Sequence, residues 1–356
     1  MTYQVAAWEG DRLDPSLEGL WRDSLAIHGD LAARFRWLYQ DNPAGRGAVY
    51  ALLERTADLV GCAGLVPRRF RTAAGPLGAA MYGDFAVAPA HRTLGPALAL
   101  QREVGRHVDR ERHFGYGFPN AAAAGVFRRL GHVQVGLMTR YARVLRVAPH
   151  LRHAAARPLR LAAGLGAMAD RVYEALGRVR RRVKRDSTPL EWLAEPDARC
   201  DDLYARAARY LPIVGDRGRE ALAWRFFSRP GSTCRLAALG NPAGGALRGY
   251  AVVACASVPS GRPVAEIKDF LAASEADLVV LLERVCEDLA AEGFSSASLR
   301  FLGSSCVTAS LLAARFERRA EERMFLVQAG ESRGSSLPAA FLDRESWYLT
   351  DADEDW

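Results

Sequence analysis

The stretch Asp84-Phe85-Ala86-Val87-Ala88-Pro89-Ala90-His91-Arg92-Thr93-Leu94-Gly95-Pro96-Ala97-Leu98 decides the reading of this chain. A β-type run ends at Pro89, a short loop follows with Arg92, Gly95 and Ala97 in the order R-x-x-G-x-A, and a helical pattern begins there. Gly95 and Ala97 are small enough to let a ligand approach the main chain. Pro96 suits a first helical position, where its missing N–H would have had no intrahelical partner. A helix start offers unbonded amides and the positive end of the helix dipole, so this strand, loop and helix predict a pyrophosphate site.

Outward from that loop, two stretches of the chain resemble each other. Phe35-Arg36-Trp37-Leu38-Tyr39 precedes Asn42-Pro43, apolar runs follow at 49–53 and 59–66, and Tyr82-Gly83-Asp84-Phe85 comes next. Further on, Leu222-Ala223-Trp224-Arg225-Phe226-Phe227 precedes Arg229-Pro230, apolar runs follow at 234–239 and 250–256, and Ile267-Lys268-Asp269-Phe270 comes next. Trp37 to Phe85 spans 48 positions and Trp224 to Phe270 spans 46, which predicts an internal duplication. Each copy continues with helical apolar spacing, a short strand, a helix after Asn120 or Ser304, and a last strand. The expected fold class is α/β, with two similar domains side by side at 1–150 and 190–356, each holding its own mixed sheet flanked by helices. Between them, at 151–189, Leu161, Leu165, Met168, Val172, Leu176, Val179 and Val183 recur at steps of three and four, the pattern of a basic amphipathic linker helix.

In these motifs the chain resembles the GNAT superfamily of acyl-CoA-dependent N-acyltransferases. The matching residues are Val87-x-Pro89, then Arg92-x-x-Gly95-x-Ala97 in place of the family's [RQ]-x-x-G-x-[GA] loop. Asn120 with Leu130-Gly131-His132 stands in place of its second block, N-x-x-A-x-x-x-Y-x-x-x-G-F. Motifs carry the resemblance over residues 3–145 and layout alone over 190–330. It implies two tandem GNAT-like domains, each a mixed, mostly antiparallel twisted sheet. It further implies that Phe85 and Val87 offer main-chain groups to the pantetheine arm of acetyl-CoA or another acyl-CoA. Arg92, Thr93, Leu94, Gly95, Pro96 and Ala97 would hold the pyrophosphate, with Asn120 and Phe127 at the second block. A substrate amine would attack the acyl carbonyl directly, which calls for a base and an acid. The tyrosine that many members place seven positions after the asparagine falls on Phe127, which has no proton to give. Asp84 is the candidate base, and Tyr116 and Tyr82 are candidate acids; no metal is expected. In the second copy, Ala273-Ser274-Glu275-Ala276-Asp277 lacks the arginine and glycine and sets two carboxylates where a pyrophosphate would approach, so repulsion predicts a degenerate copy.

The expected function is transfer of an acyl group from coenzyme A to the amine of a small molecule or amino sugar. Two alternatives stay open: a non-catalytic acyl-CoA-binding or scaffold protein, which Phe127 supports, and an aminoacyl-tRNA-dependent transferase, for which Arg178–Arg185 would bind RNA. Composition excludes a disordered or fibrous chain, with 49% hydrophobic and 25% charged residues in 356. No apolar run reaches the ~18–20 residues of a membrane span and no signal-like start is present, so a cytoplasmic location is expected. Six scattered cysteines without a C-x-x-C pair read as reduced, mostly buried residues. The net charge of +7 is accounted for by residues 151–190, where ten basic residues meet three acidic ones. The neutral remainder argues against a broad nucleic-acid face. Peripheral contact of 171–185 with an anionic membrane is the less favoured reading of the arginines there. The tail, Trp347 to Trp356, carries four carboxylates and is expected to be solvated.

Overall fold

A computed structural model describes residues 3–8, 10, 12–54, 58–111, 114–146, 188–240, 245–257, 263–328 and 337–354. The expected linker helix, its leucine and valine stripe and its arginines fall outside them. In the first half, β1 (Gln4–Ala7), α1 (Pro15–Leu25) and α2 (Leu31–Phe35) precede β2 (Ala48–Leu53), β3 (Leu59–Thr72) and β4 (Gly75–Val87). Then come α3 (Leu94–Glu111), β5 (Phe114–Gly117), α4 (Ala121–Arg129) and β6 (His132–Val144). The second half supplies β7 (Leu190–Leu193), β8 (Ile213–Gly215), β9 (Cys234–Gly240), β10 (Leu247–Ser257) and β11 (Pro263–Ala272), then β12 (Ser296–Gly303), β13 (Glu317–Gln328) and β14 (Trp347–Leu349).

The fourteen strands among the described residues belong to one sheet, whose main path runs β1-β2-β3-β4-β5-β13-β6-β12-β11-β10-β9-β7. The expectation of one separate sheet per half is thereby corrected. Each half gives a strand to the other: β13 pairs with β5, β6 pairs with β12, and the two exchanged strands pair with each other. An isolated half would leave a bare strand edge at β5 or β12, and the exchange covers both with main-chain hydrogen bonds. On that path the parallel pairs are β4 with β5 and β11 with β12. Each needs a long crossover, supplied by α3 in the first half and by the helix Glu275–Ala291 in the second.

Two π-helical turns, Arg36–Gln40 and Ala223–Phe227, meet where the halves join. Trp37 Nε1 donates to the carbonyl of Trp224 at 2.7 Å, and Trp224 Nε1 returns the bond to Trp37 at 2.8 Å, with the rings stacked at 5.3 Å. This reciprocal pair marks a pseudo-two-fold relation between the copies.

The described part of the tail, residues 347–354, is not solvated. β14 lies between β12 and β8, Thr350 is fully buried, and Asp351 and Asp353 are each 3% exposed. Of the cysteines, Cys62, Cys200 and Cys286 are buried, whereas Cys255 and Cys306 are exposed. Among the described residues, no helix is long and apolar enough to cross a membrane.

Candidate active site

β4 pairs with β5 only from Ala79 to Met81, opposite Phe114 to Tyr116, and the two strands then part. Beyond that point β4 bulges: Gly83 faces Gly64 and Ala86 faces Cys62, so Asp84 and Phe85 share the single residue Ala63. Asp84 has φ +46°, a left-handed conformation that a side-chain-bearing residue adopts only when its surroundings hold it there. A cleft of about 740 Å³ opens at this splay, walled by Tyr82, Phe85, Gly117, Phe118 and Phe127 from the first half and by Arg229 to Gly231 from the second.

Asp84 is held by two partners that sequence reasoning did not single out. Arg34 meets it bidentately, at 2.8 Å on each oxygen, and Tyr39 donates to Oδ2 at 2.6 Å. Arg34 in turn lies over the Trp21 ring at 5.1 Å. Gly64 is required here, because a Cβ would strike the Tyr39 hydroxyl. Both carboxylate oxygens are thus occupied by donors, an arrangement that favours a positioning role for Asp84.

Tyr82 lines the cleft, but its hydroxyl is hydrogen-bonded to Gln328 Oε1, and burial, ahead of Asp109, drives its pKa well above the usual range. Tyr116 is a correction: it does not line the cleft. It is fully buried among Phe70, Phe114 and Phe325, and its hydroxyl donates to the carbonyl of Asp353 at 3.0 Å. Successive strand residues point to opposite faces, so Tyr116 on β5 faces the tail while Gly115 and Gly117 pack against Tyr82.

Phe85, Asn120 and Phe127 line the cleft. Asn120 also caps α4, accepting from the Ala123 amide at 2.9 Å. Val87 packs with Ala97 and Val126, and its carbonyl accepts from Arg92 Nε at 2.9 Å, so that main-chain group is already used. Arg92, Thr93, Leu94 and Gly95 are exposed, whereas Pro96 and Ala97 are buried. The helix begins at Leu94, two residues before Pro96. The Arg92 and Thr93 amides bond to Pro89 and His91. The first-turn donors without an intrahelical acceptor are therefore those of Leu94 and Gly95, and Pro96 has none to lose. A Cβ on Gly95 would meet nothing within 4 Å and its φ is not positive, so the fold itself does not demand glycine there.

The corresponding helix start in the second half is closed by its own side chains. Ser274 accepts from the Asp277 amide at 3.1 Å, and Asp277 pairs with Arg248 at 2.6 Å. The pocket beside Asn42, Arg217 and Asp353 is reduced to about 40 Å³.

No protein-family model matches the chain, and no curated protein sequence matches it. Solved structures do. A GCN5-related N-acetyltransferase from Anabaena variabilis superposes with TM-score 0.63 at 13% identity, covering 92% of this chain and 72% of that one. A probable N-acyltransferase from Enterococcus faecalis gives 0.63 at 14% identity, with the same coverage. N-myristoyltransferase from Saccharomyces cerevisiae, with bound myristoyl-CoA, gives 0.56 at 12% identity and covers 91% and 82% of the two chains. At these identities the likeness is one of fold: the chain has the fold of the GCN5-related N-acetyltransferases.

Proposed function

We propose that the protein is an acyl-CoA-dependent N-acyltransferase with one working coenzyme site, in the first half. The observation that carries this reading is Gly95, a glycine that the fold does not require, exposed at a helix start whose free amides lie one loop away from the cleft at the β4 bulge. The residues fit a pyrophosphate at Leu94 and Gly95, with Arg92 adding charge, and a pantetheine arm along Phe85 between β4 and β5. The acyl-CoA supplies a thioester; the amine nitrogen bonds to the acyl carbon as the carbon–sulfur bond breaks. The proton lost by the amine needs an acceptor with an available lone pair. His28, exposed on the cleft rim, supplies one, while Asp84 keeps Arg34 in place. The acceptor is an amine of a small molecule or amino sugar.

The experiment is calorimetry with coenzyme A on the wild type and on Gly95→Val. The variant should fold with an unchanged Tm and bind coenzyme A at least about tenfold more weakly, a loss of ~1.4 kcal/mol. Equal affinity in the two proteins would remove the assignment. A second reading, non-catalytic acyl-CoA binding, is favoured by one observation: Phe127 has no hydroxyl, and those of Tyr82 and Tyr116 are both engaged inside the protein. Thiol release from acetyl-CoA on addition of an amine separates the two.

A further inference from the structure

The cleft at the β4 bulge is polar at its rim and apolar farther in. His28, Asp30 and Asn120 stand exposed at the rim. The inner walls are Leu25 and Ile27 from the end of α1 and the turn after it, Trp37 from the first π-helical turn, Phe118 and Pro119 after β5, and Pro230 from the second half. Leu25, Ile27 and Phe118 pack against the core cluster that holds Trp37, yet each of the three is only half-buried. Their outer faces are apolar surface that the fold leaves wet, and covering them with an apolar ligand releases that water. Phe118 is braced by Phe325 of the exchanged strand β13, with ring centres 5.2 Å apart.

The charged groups among these walls are themselves embedded. Asp84 and Arg34 are paired with one another. The Arg229 guanidinium lies 5.7 Å from the centre of the Trp37 ring. Burial, more than the nearby Arg34, pulls its pKa down to about 10, the response of a cation to surroundings poor in water.

A pantetheine arm along Phe85 ends where β4 and β5 part, and so brings its thioester to this apolar space. An acetyl group adds a single methyl beyond the thioester carbonyl, too little to cover Leu25, Ile27, Trp37 and Phe118 together. The cleft, at about 740 Å³, is ample for more, since pockets that enclose whole small molecules span roughly 300–1,000 Å³. The amine arrives as a hydrated ammonium, which the polar rim suits better than the inner walls. We infer that the acyl group is a medium-chain fatty acyl rather than acetyl, its chain held against Leu25, Ile27, Trp37 and Phe118. This inference rests on the acyl-transfer reading of the cleft.

The test is calorimetry of the wild type with coenzyme A and with its acetyl, butyryl, hexanoyl and octanoyl thioesters. Affinity should rise along the series by about fourfold for each methylene buried, and level off where the chain outgrows the cleft. Ile27→Asn sets a polar amide in the wall, and Ile27→Trp fills the space in front of it. In each, the ratio of octanoyl-CoA to coenzyme A affinity should fall by about tenfold or more. Circular dichroism shows whether the variants fold, and the wild-type series is decisive without them. A parallel titration of the coenzyme A complex with n-alkylamines from propyl to octyl tells a chain on the acyl group from one on the acceptor. Flat affinity from acetyl to octanoyl, tightest binding by acetyl-CoA, a methylene gain confined to the alkylamines, or an unaltered ratio in a folded Ile27 variant would each overturn the inference. A flat series beside firm coenzyme A binding removes the chain alone. Failure of coenzyme A itself to bind the wild type removes the acyl-transfer reading, and this inference with it.

Discussion

His132 stands where the family's second block has a phenylalanine, and its surroundings treat it as an aromatic residue. Its ring meets Tyr82 at 5.2 Å and Phe127 at 5.0 Å, both edge-on, and it is 6% exposed. Burial pushes its pKa down to about 4, against the backbone carbonyls of Phe127 and Leu130, which pull the other way. The folded state therefore takes up this proton less readily than the unfolded chain, whose histidine titrates near 6.5. The stability contributed by neutral His132 is complete above pH 6.5 and is lost as pH falls towards 4, by up to about 3 kcal/mol. His132→Phe should flatten that part of the acid-denaturation profile, and an unchanged slope between pH 6.5 and 4 would refute the argument. At this scale the sequence identified Asp84, Phe85, Asn120 and Phe127 as belonging near the cleft. It could not find Arg34, Tyr39 or Arg229, because nothing separates them from other arginines and tyrosines until the fold brings them together. Tyr116 was misplaced because strand parity alone does not say which face is the cleft.

At the scale of elements, the loop from Val87 to Ala97 was readable because its chemistry is local: a strand that ends at a proline, a small residue, and a helix start. The tail was not. Its carboxylates look like those of a solvated terminus, yet Asp353 shares Arg217 with Asp269, and Thr350 and Asp353 form a capping box. Arg225 donates to the main chain of Ala352 and Asp351, and the Tyr348 hydroxyl donates to the carbonyl of Phe270 at 2.7 Å. Asp353→Asn keeps the shape and removes the charge that Arg217 grips, and should cost about 3 kcal/mol in chemical denaturation, as for a broken buried ion pair. A cost under about 0.5 kcal/mol, the range of ordinary surface changes, would mean that the tail merely rests on the surface.

For the whole molecule, the exchange of β6 and β13 ties the two copies into one folding unit. Residues 1–150 expressed alone would expose the edge of β5 and leave β6 without either of its partners. That fragment should be aggregated or unfolded by circular dichroism and sedimentation, as should residues 188–356 alone, and co-expression of the two should give a soluble complex. A monomeric, cooperatively unfolding fragment would show that each copy closes its own sheet.

The sequence by itself determined the α/β class and the contrast between the residues at the two helix starts. Both rest on residue type at short spacing, such as Arg92, Gly95 and Ala97 against Ser274, Glu275 and Asp277. Only the tertiary structure decided that the two halves share one sheet, that the tail packs onto Arg217 and Arg225, and that Arg34 and Arg229 line the cleft. Each of those pairings joins residues from 50 to more than 200 positions apart, such as Arg34 with Asp84 and Tyr116 with Asp353. Local propensity has no term for such distances: strand edges pair, and buried charges find partners, wherever the completed packing brings them.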